Sequence, residues 1–468
     1  MQDSILSGGG ILKLMLDPNP KRAEKLDDLW KVLDSTPLAN PGQMAAFYRE
    51  ELNRVRGTGA TRRLKQQLLQ RHGSTKFRCL LYGNQGCGKS TEINRILQEI
   101  EDKFVPVHIS VAKELNSSSF RVFDILLLIL FRLVEEVRKR QNDDWLPSFA
   151  LPDSDWQAVI DYLEANSSMK YSTNKGINGK AIFEFFGLAK GELQYAAGRS
   201  QEFVDYRLQR LSLLADRLNA VADAANRYLA SRHGQREWVI VIEDMDKQGV
   251  SSSAIRQALT EHSELLGRLG LHVILNVPAW IVWSSDATRL PFGDYHFQIP
   301  DVPVYEGHHA ACVNGREALR AVLEARANPS LFEDEQEIRC IVASGGNVRD
   351  LFAIVENAAS IAATKDREKI GADDVTLAVT ELRSRYETRL GDDPFDKDPV
   401  PYADKLQRLM DVYNQKAEPA SAHDRCLNEL LKAGAVLRFN GDGRYGVHPL
   451  VVDLLKKYGR AVTSGGSI

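Results

Sequence analysis

Gly83-Asn84-Gln85-Gly86-Cys87-Gly88-Lys89-Ser90 fits the pattern G-x-x-x-x-G-K-[ST], and its surroundings decide the fold. Phe77-Arg78-Cys79-Leu80-Leu81-Tyr82 before it reads as a short buried strand, and Ser90 to Ile100 after it as a helix. The chemistry requires that order. Glycines let the backbone wrap closely round a phosphate, so successive N–H groups point inward at a helix N-terminus and form an anion nest. Lys89 then reaches the β- and γ-phosphates of a nucleotide, and the Ser90 hydroxyl ligates Mg²⁺. Asn84, Gln85, Cys87 and Thr91 complete the set of cofactor-binding positions. ATP and Mg²⁺ are the expected cofactors.

Working outward, residues 1–72 form an N-terminal helical segment in which Gln43 to Gln70 is helix-compatible throughout. From 73 to 305 short apolar runs alternate with helical patterns. Val105 to Val111, Trp238 to Ile242 and Leu271 to Val277 read as three further strands. Strands separated by helices predict an α/β fold, a parallel sheet covered on both faces. A long excursion, about 112–236, separates the second and third strands. Within it the Gly/Asn/Ser/Lys-rich stretch Ser167 to Lys180 predicts a mobile insertion at about 165–200.

The third strand ends in Glu243-Asp244-Met245-Asp246-Lys247. A phosphate-loop enzyme needs one carboxylate at a neighbouring strand tip to hold Mg²⁺ and another to orient the attacking water. Glu243, first after the strand, takes the metal side with Ser90. Asp244 takes the water side, and Asp246 fixes the turn. Either order of the two acids remains open. Asn276, at the end of the fourth strand, is the polar residue expected to touch the γ-phosphate and the water.

Composition bounds the rest. The formal charge of −3 over 468 residues gives no global basic signal for nucleic acid or an anionic membrane. Five scattered cysteines without a CxxC pair read as a reduced, cytoplasmic setting. The most apolar run, Phe123 to Phe131, is too short to cross a bilayer, and no secretory signal opens the chain. No spacing suggests zinc, and no Gly-x-Ser-x-Gly nucleophile turn is present. Tyr402 to Asn414 and Ala422 to Ala433 are amphipathic. Val436 to Asn440 and Arg444 to His448 flank Gly441-Asp442-Gly443, a hairpin signal. Pro449 then opens a final helix to Lys457. Residues 393–460 thus read as a winged helix, and 461–468 as a flexible tail. Its basic residues, Arg425, Lys432, Arg438, Arg444, Lys456 and Lys457, are interleaved with Asp424 and Glu429, so protein is at least as good a partner as DNA. His448 is read as structural.

Phosphate loop, acidic strand tip and polar strand end, in that order, resemble the AAA+ ATPases, and more narrowly their origin-recognition initiator and STAND-like branch, over about residues 45–455. The resemblance implies a helical lid at 306–392. Ser344-Gly345-Gly346-Asn347-Val348-Arg349-Asp350-Leu351 looks like the sensor-2 start of that lid, which assigns Arg349 to the nucleotide. Ile370-Gly371-Ala372-Asp373-Asp374-Val375 resembles its close. Arg289 stands where relatives carry an arginine finger for a neighbouring subunit. Glu243 replaces the family's more usual aspartate, which leaves the speed of hydrolysis open. The implied activity is an ATPase that forms a homo-oligomer on binding ATP, an oligomeric switch in bacterial stress or phage (antiviral) defence with a protein partner. The alternatives are a DNA-associated ATPase (a loader, initiator-like or transposition regulator) using the winged helix, and a protein remodeller. No membrane role is implied.

Overall fold

The uniform helical pattern of Gln43 to Gln70 is interrupted in the folded chain. A computed structural model describes residues 20–57, 59–140, 211–232, 234–247, 249–306, 309–391, 399–415, 424–438 and 445–457. In it the stretch folds as three helices, α1 (Pro41–Phe47), α2 (Glu51–Arg56) and α3 (Ala60–Arg71). Asn40 caps α1 by accepting from the Gln43 amide at 2.8 Å. Tyr48 is extended, and Gly57 closes α2 at φ +68°, the left-handed C-cap that a side chain would strain.

The main elements that follow, shorter helices such as Ser252–Thr260 between β3 and β4 being left unnumbered, are β1 (Arg78–Gly83), α4 (Lys89–Glu99), β2 (Phe104–Ser110), α5 (Val122–Lys139), α6 (Leu211–Arg232), β3 (Glu237–Glu243), β4 (His272–Pro278) and β5 (His296–Gln298). Next come α7 (Val313–Glu324), α8 (Gln336–Ala343), α9 (Val348–Ala363) and α10 (Ala372–Leu390). The C-terminal part holds α11 (Tyr402–Tyr413), α12 (Arg425–Lys432), β6 (Val436–Arg438), β7 (Tyr445–Val447) and α13 (Pro449–Lys457). The four strands expected from sequence are present, each within one residue of its expected ends. β5 was not foreseen, because three residues give no periodicity to read. The stretch Ser167 to Lys180, the insertion at 165–200, Phe439 to Arg444 and the tail 461–468 lie outside the described residues.

The described residues pack as two units. One comprises Arg62–Tyr82 and Glu99–Phe297, and holds the sheet. Its strand order is β2-β3-β4-β1-β5. β3 lies parallel to β2, with Val107 opposite Ile240, and parallel to β4, with Ile242 opposite Leu275. Trp238, Val239, Ile240, Val241 and Ile242 are wholly buried, as a strand with both faces covered must be. The run Phe123 to Phe131 lies in α5 and packs with α6 in this core; no described helix is long and apolar enough to cross a membrane. Trp238 is anchored as well as buried, its indole N–H donating to the Ala225 carbonyl at 3.0 Å.

The other unit comprises the described parts of Met1–Thr61, Gly83–Gln98 and Gln298–Ile468. In its C-terminal part β6 and β7 pair antiparallel, Val436 with Val447 and Arg438 with Tyr445. His448, wholly buried, donates through Nε2 to the Ser344 carbonyl at 3.1 Å and accepts from the Leu450 amide at Nδ1. Burial pulls its pKa down to about 3, so the ring is neutral and structural.

In the sheet unit His272 is fully buried at the start of β4. Its Nδ1 accepts from the Phe77 amide and its Nε2 donates to Glu237, both at 3.1 Å. Burial raises the Glu237 carboxyl, but hydrogen bonds from His272, Lys76 and the Gly73 amide outweigh it and hold the pKa at about 2. A depressed folded-state pKa stabilises above the unfolded value near 4.5 and is lost as pH falls towards 2, an effect of up to about 3 kcal/mol. Glu237→Gln should therefore flatten the acid limb of a urea-stability curve between pH 5 and 2. An unchanged acid limb would show that Glu237 is not the group responsible.

Candidate nucleotide-binding site

β1 delivers the chain to Gly83, and α4 begins at Lys89, so the phosphate loop spans the strand-to-helix turn its sequence predicts. Gly86 and Gly88 sit at φ +90° and +98°, a backbone region that favours glycine. A β-carbon on Gly83 would stand 2.1 Å from the Ile299 carbonyl oxygen. Lys89, only 5% exposed, folds back over the loop and donates to the carbonyls of Gly83 and Asn84 at 3.0 and 2.9 Å. Its ammonium is thus held within the ring that would receive a phosphate. The Cys87 thiol donates to the Ile299 carbonyl at 3.1 Å.

Two charged residues behind the loop were not singled out in the sequence. Arg56, at the end of α2, donates to the Cys87 carbonyl, and its Nη1 lies 3.8 Å from Glu92 Oε1. Both side chains are 2–3% exposed. Glu92 also receives Arg95 at 3.2 Å and the Tyr48 hydroxyl at 3.2 Å. Removing either partner of such a pair strands a buried charge. Nothing marks Arg56 in sequence, because it lies 31 residues before its partner Cys87 and at the end of an ordinary helix.

The turn before α9 meets the loop through Gly345-Gly346-Asn347. Asn347 caps α9, its Oδ1 accepting from the amides of Arg349 and Asp350 at 3.1 and 3.3 Å. Its Nδ2 donates outward, to the Gln85 carbonyl at 2.8 Å and to Asp301 at 2.9 Å. A β-carbon on Gly86 would lie 2.4 Å from Asn347 Oδ1 and 2.6 Å from Arg349 Cβ. Arg349 is therefore brought against the loop, its own amide 3.4 Å from the Gly86 carbonyl. Beyond it opens a cavity of about 830 Å³ lined by Trp30, Gln43, Phe47, Arg349, Phe352 and Glu356, among others. Arg326 is buried between the Phe47 and Phe352 rings, 4.6 and 4.7 Å from their centres, and burial pulls its pKa down to about 9. Thr91 accepts from the Leu38 amide at 3.2 Å, and Ser90, on the next-to-first position of α4, is half-buried.

In the sheet unit the tips of β3 and β4 present the predicted polar group. Ile242 pairs with Leu275, so Glu243, the last residue of β3, and Asn276, two residues before the end of β4, follow at one level. Glu243 Oε1 and Asn276 Oδ1 are both buried without a hydrogen-bond partner among the described residues. Polar oxygens of that kind fit a ligand's hydration shell or a hydrated cation. Among the described residues no cluster of three or more His, Cys, Asp and Glu could hold a metal alone, so a cation would need ligands from a phosphate and water. Glu243 Oε2 lies 3.4 Å from His108 Nδ1. Asp244 is different. It sits at φ +68° and its carboxylate is engaged by the Ser110 hydroxyl and by Lys247 at 3.0 Å. Arg289 is exposed at the end of a short turn, its carbonyl accepting from the Ser263 hydroxyl at 2.9 Å.

Residues 58–275 match a family described as AAA ATPase domain. Among solved structures, the chain is similar to Cdc6p of Pyrobaculum aerophilum at 12% identity and TM-score 0.34, covering 85% of this chain and 93% of that one. It is similar to the ORC1 protein of Aeropyrum pernix, solved in complex with DNA, at 14% identity and TM-score 0.35, covering 93% and 96%. A Walker-type ATPase of Pyrococcus abyssi shares 14% identity at TM-score 0.38, covering 91% and 99%. No curated protein matches the sequence.

A β-carbon on Gly346, at φ +88°, would stand 1.6 Å from the Val302 carbonyl oxygen, whereas one on Gly59, at φ +56°, meets nothing within 4 Å. Gly59→Ala should cost about 1–2 kcal/mol, from backbone strain alone. Gly346→Ala should cost about 3 kcal/mol or more, because backbone must move. Thermal melts of the two variants decide, and equal losses would show that Gly346 does not pack against the Val302 carbonyl as described.

Proposed function

We propose that this chain, whose residues 58–275 match a family described as AAA ATPase domain, binds ATP with Mg²⁺, hydrolyses it, and acts as an ATP-driven oligomeric switch. The observation that carries this reading is the placement of Lys89. Its buried ammonium donates to the Gly83 and Asn84 carbonyls at the rim of the loop, where phosphate oxygens would serve as stronger, charged acceptors. The loop amides complete the anion nest. Arg349, set against Gly86, would supply a second positive charge, and the adjoining cavity of about 830 Å³ offers aromatic and aliphatic surface for a base.

Bound Mg²⁺ would neutralise charge shared by the β- and γ-phosphates. The Ser90 hydroxyl is the ligand the loop offers it. In the sheet unit the partnerless Glu243 oxygen suits the metal side, and Asn276 suits a γ-phosphate or water contact. Asp244 is assigned the attacking water, with Ser110 and Lys247 holding its carboxylate at rest. Arg289, exposed and bonded through its backbone, is free to meet a neighbouring copy. The C-terminal part is read as a winged helix that contacts protein. Two of its described basic residues are paired with acids, Lys432 with Glu429 and Arg408 with Asp424, which lowers the positive field it offers to DNA.

Lys89→Ala should retain the circular dichroism of the wild type and lose ATP binding by calorimetry; unchanged affinity would remove the nucleotide reading. Mixing it with Arg289→Ala should return part of the turnover that each lacks, since one interface pairs an intact loop with an intact finger. A mixture as inactive as its parts would assign Arg289 to the surface.

The two acids separate by what each variant loses. Asp244→Asn should leave ATP affinity within about threefold and slow turnover about 10²- to 10⁴-fold. Glu243→Gln should raise the Mg²⁺ concentration needed for half-maximal turnover. If Glu243→Gln abolishes turnover at saturating Mg²⁺ while Asp244→Asn does not, the roles are exchanged.

A further inference from the structure

Asp301 is absent from the phosphate chemistry above, yet it touches both sides of the site. It is 3% exposed, three residues beyond β5. One carboxylate oxygen accepts from Asn84 Nδ2 at 2.6 Å, in the phosphate loop. The other accepts from Asn347 Nδ2 at 2.9 Å, at the head of α9. Its flanks do the same. The Ile299 carbonyl takes the Cys87 thiol, and the Val302 amide donates to the Gly346 carbonyl at 3.1 Å. The strip from Ile299 to Val302 therefore has the loop bonded to one part of it and the lid to another.

A buried carboxylate is tolerated only with its oxygens hydrogen-bonded. Here the two donors come from separate elements, so neither amide can leave without stranding an oxygen. Asn347 spends its remaining capacity on the Gln85 carbonyl and on capping α9, which fixes its orientation. Burial raises the Asp301 carboxyl above its ordinary value, opposed by the hydrogen bond from Asn84, the charge of Arg56 and the hydrogen bond from Asn347.

We propose that Asp301 is a positioning residue for nucleotide binding, a latch whose two oxygens hold Asn84 of the phosphate loop and Asn347 of the lid in one register. The proposal rests on the reading of the loop as an ATP site. With the latch made, the loop keeps its shape and Arg349 stays against Gly86. With it broken, loop and lid move independently and ATP must order both.

The test is a reciprocal exchange across the pair, read as ATP affinity by calorimetry and, without nucleotide, as melting temperature. Asn84→Asp sets two carboxylates against each other and should weaken ATP binding at least about tenfold. Asp301→Asn should weaken it less, because a turned Asn84 amide can accept from the new amide. The double variant Asn84→Asp/Asp301→Asn restores both hydrogen bonds with one direction reversed, and should bind ATP within about threefold of wild type and recover the melting temperature. Losses that simply add would overturn the latch, since a residue with only a general packing role is not rescued by reversing one hydrogen bond. If Asn84→Asp does not fold, the double variant still decides, because only a direct bond between positions 84 and 301 lets it fold and bind. Absence of ATP binding by the wild type would remove the nucleotide reading instead. The melting-temperature cycle would then judge the latch: recovery in the double variant supports it, and additive losses overturn it.

Discussion

The close approach of Gly345-Gly346-Asn347 to its neighbours is the constraint on which the loop-bearing unit depends. Three backbones meet where side chains would not fit. Gly86 faces Asn347 and Arg349, Gly346 faces the Val302 carbonyl, and Gly345 faces the His448 ring, whose Nε2 would be 2.5 Å from an added β-carbon. Each contact is too close for alanine without movement of a neighbour. Because the same three residues touch the phosphate loop, the strip after β5 and the C-terminal part, a displacement at one contact is carried directly to the others. His448 stacks on Tyr386, with ring centres 4.5 Å apart, and the Tyr386 hydroxyl donates to Asp350 in the first turn of α9. A bound phosphate that repositions Lys89 and Arg349 would thus act on a set of packed and hydrogen-bonded groups with little slack.

The sheet unit is organised on another principle. Its buried β3 places Glu243 where the hydrophobic strand ends, and register with β4 sets Asn276 beside it. What sets these two oxygens apart from other buried atoms without a hydrogen-bond partner is that they lie at one level on adjacent strands. Asp244, one residue on, shows the contrast, with a hydroxyl and an ammonium already bonded to it. Neighbouring acids in one sequence motif are therefore prepared for different work by their surroundings.

How much of this was legible in sequence follows from the range of each signal. The strands before the phosphate loop and at β2, β3 and β4 were readable from apolar runs, and the loop from glycine spacing. The motif around Gly345-Gly346-Asn347 points to Arg349, whose backbone amide lies 3.4 Å from the Gly86 carbonyl of the loop. Asp301 and Arg56 were not found, because a buried polar residue that works by distant hydrogen bonds leaves no local periodicity. The helix-compatible stretch Gln43 to Gln70 is helical in three pieces, broken at Tyr48 and Gly57 by an extended residue and a left-handed glycine that composition does not announce. β5 was too short to register.

Hydrogen exchange of the wild-type protein with and without Mg²⁺-ATP tests the central claim, that nucleotide is bound by a loop and lid acting together. The account predicts slower amide exchange over residues 83–90 and over 345–350, appearing at the same ATP concentration. Protection of the loop without the lid segment, or of neither, would contradict it.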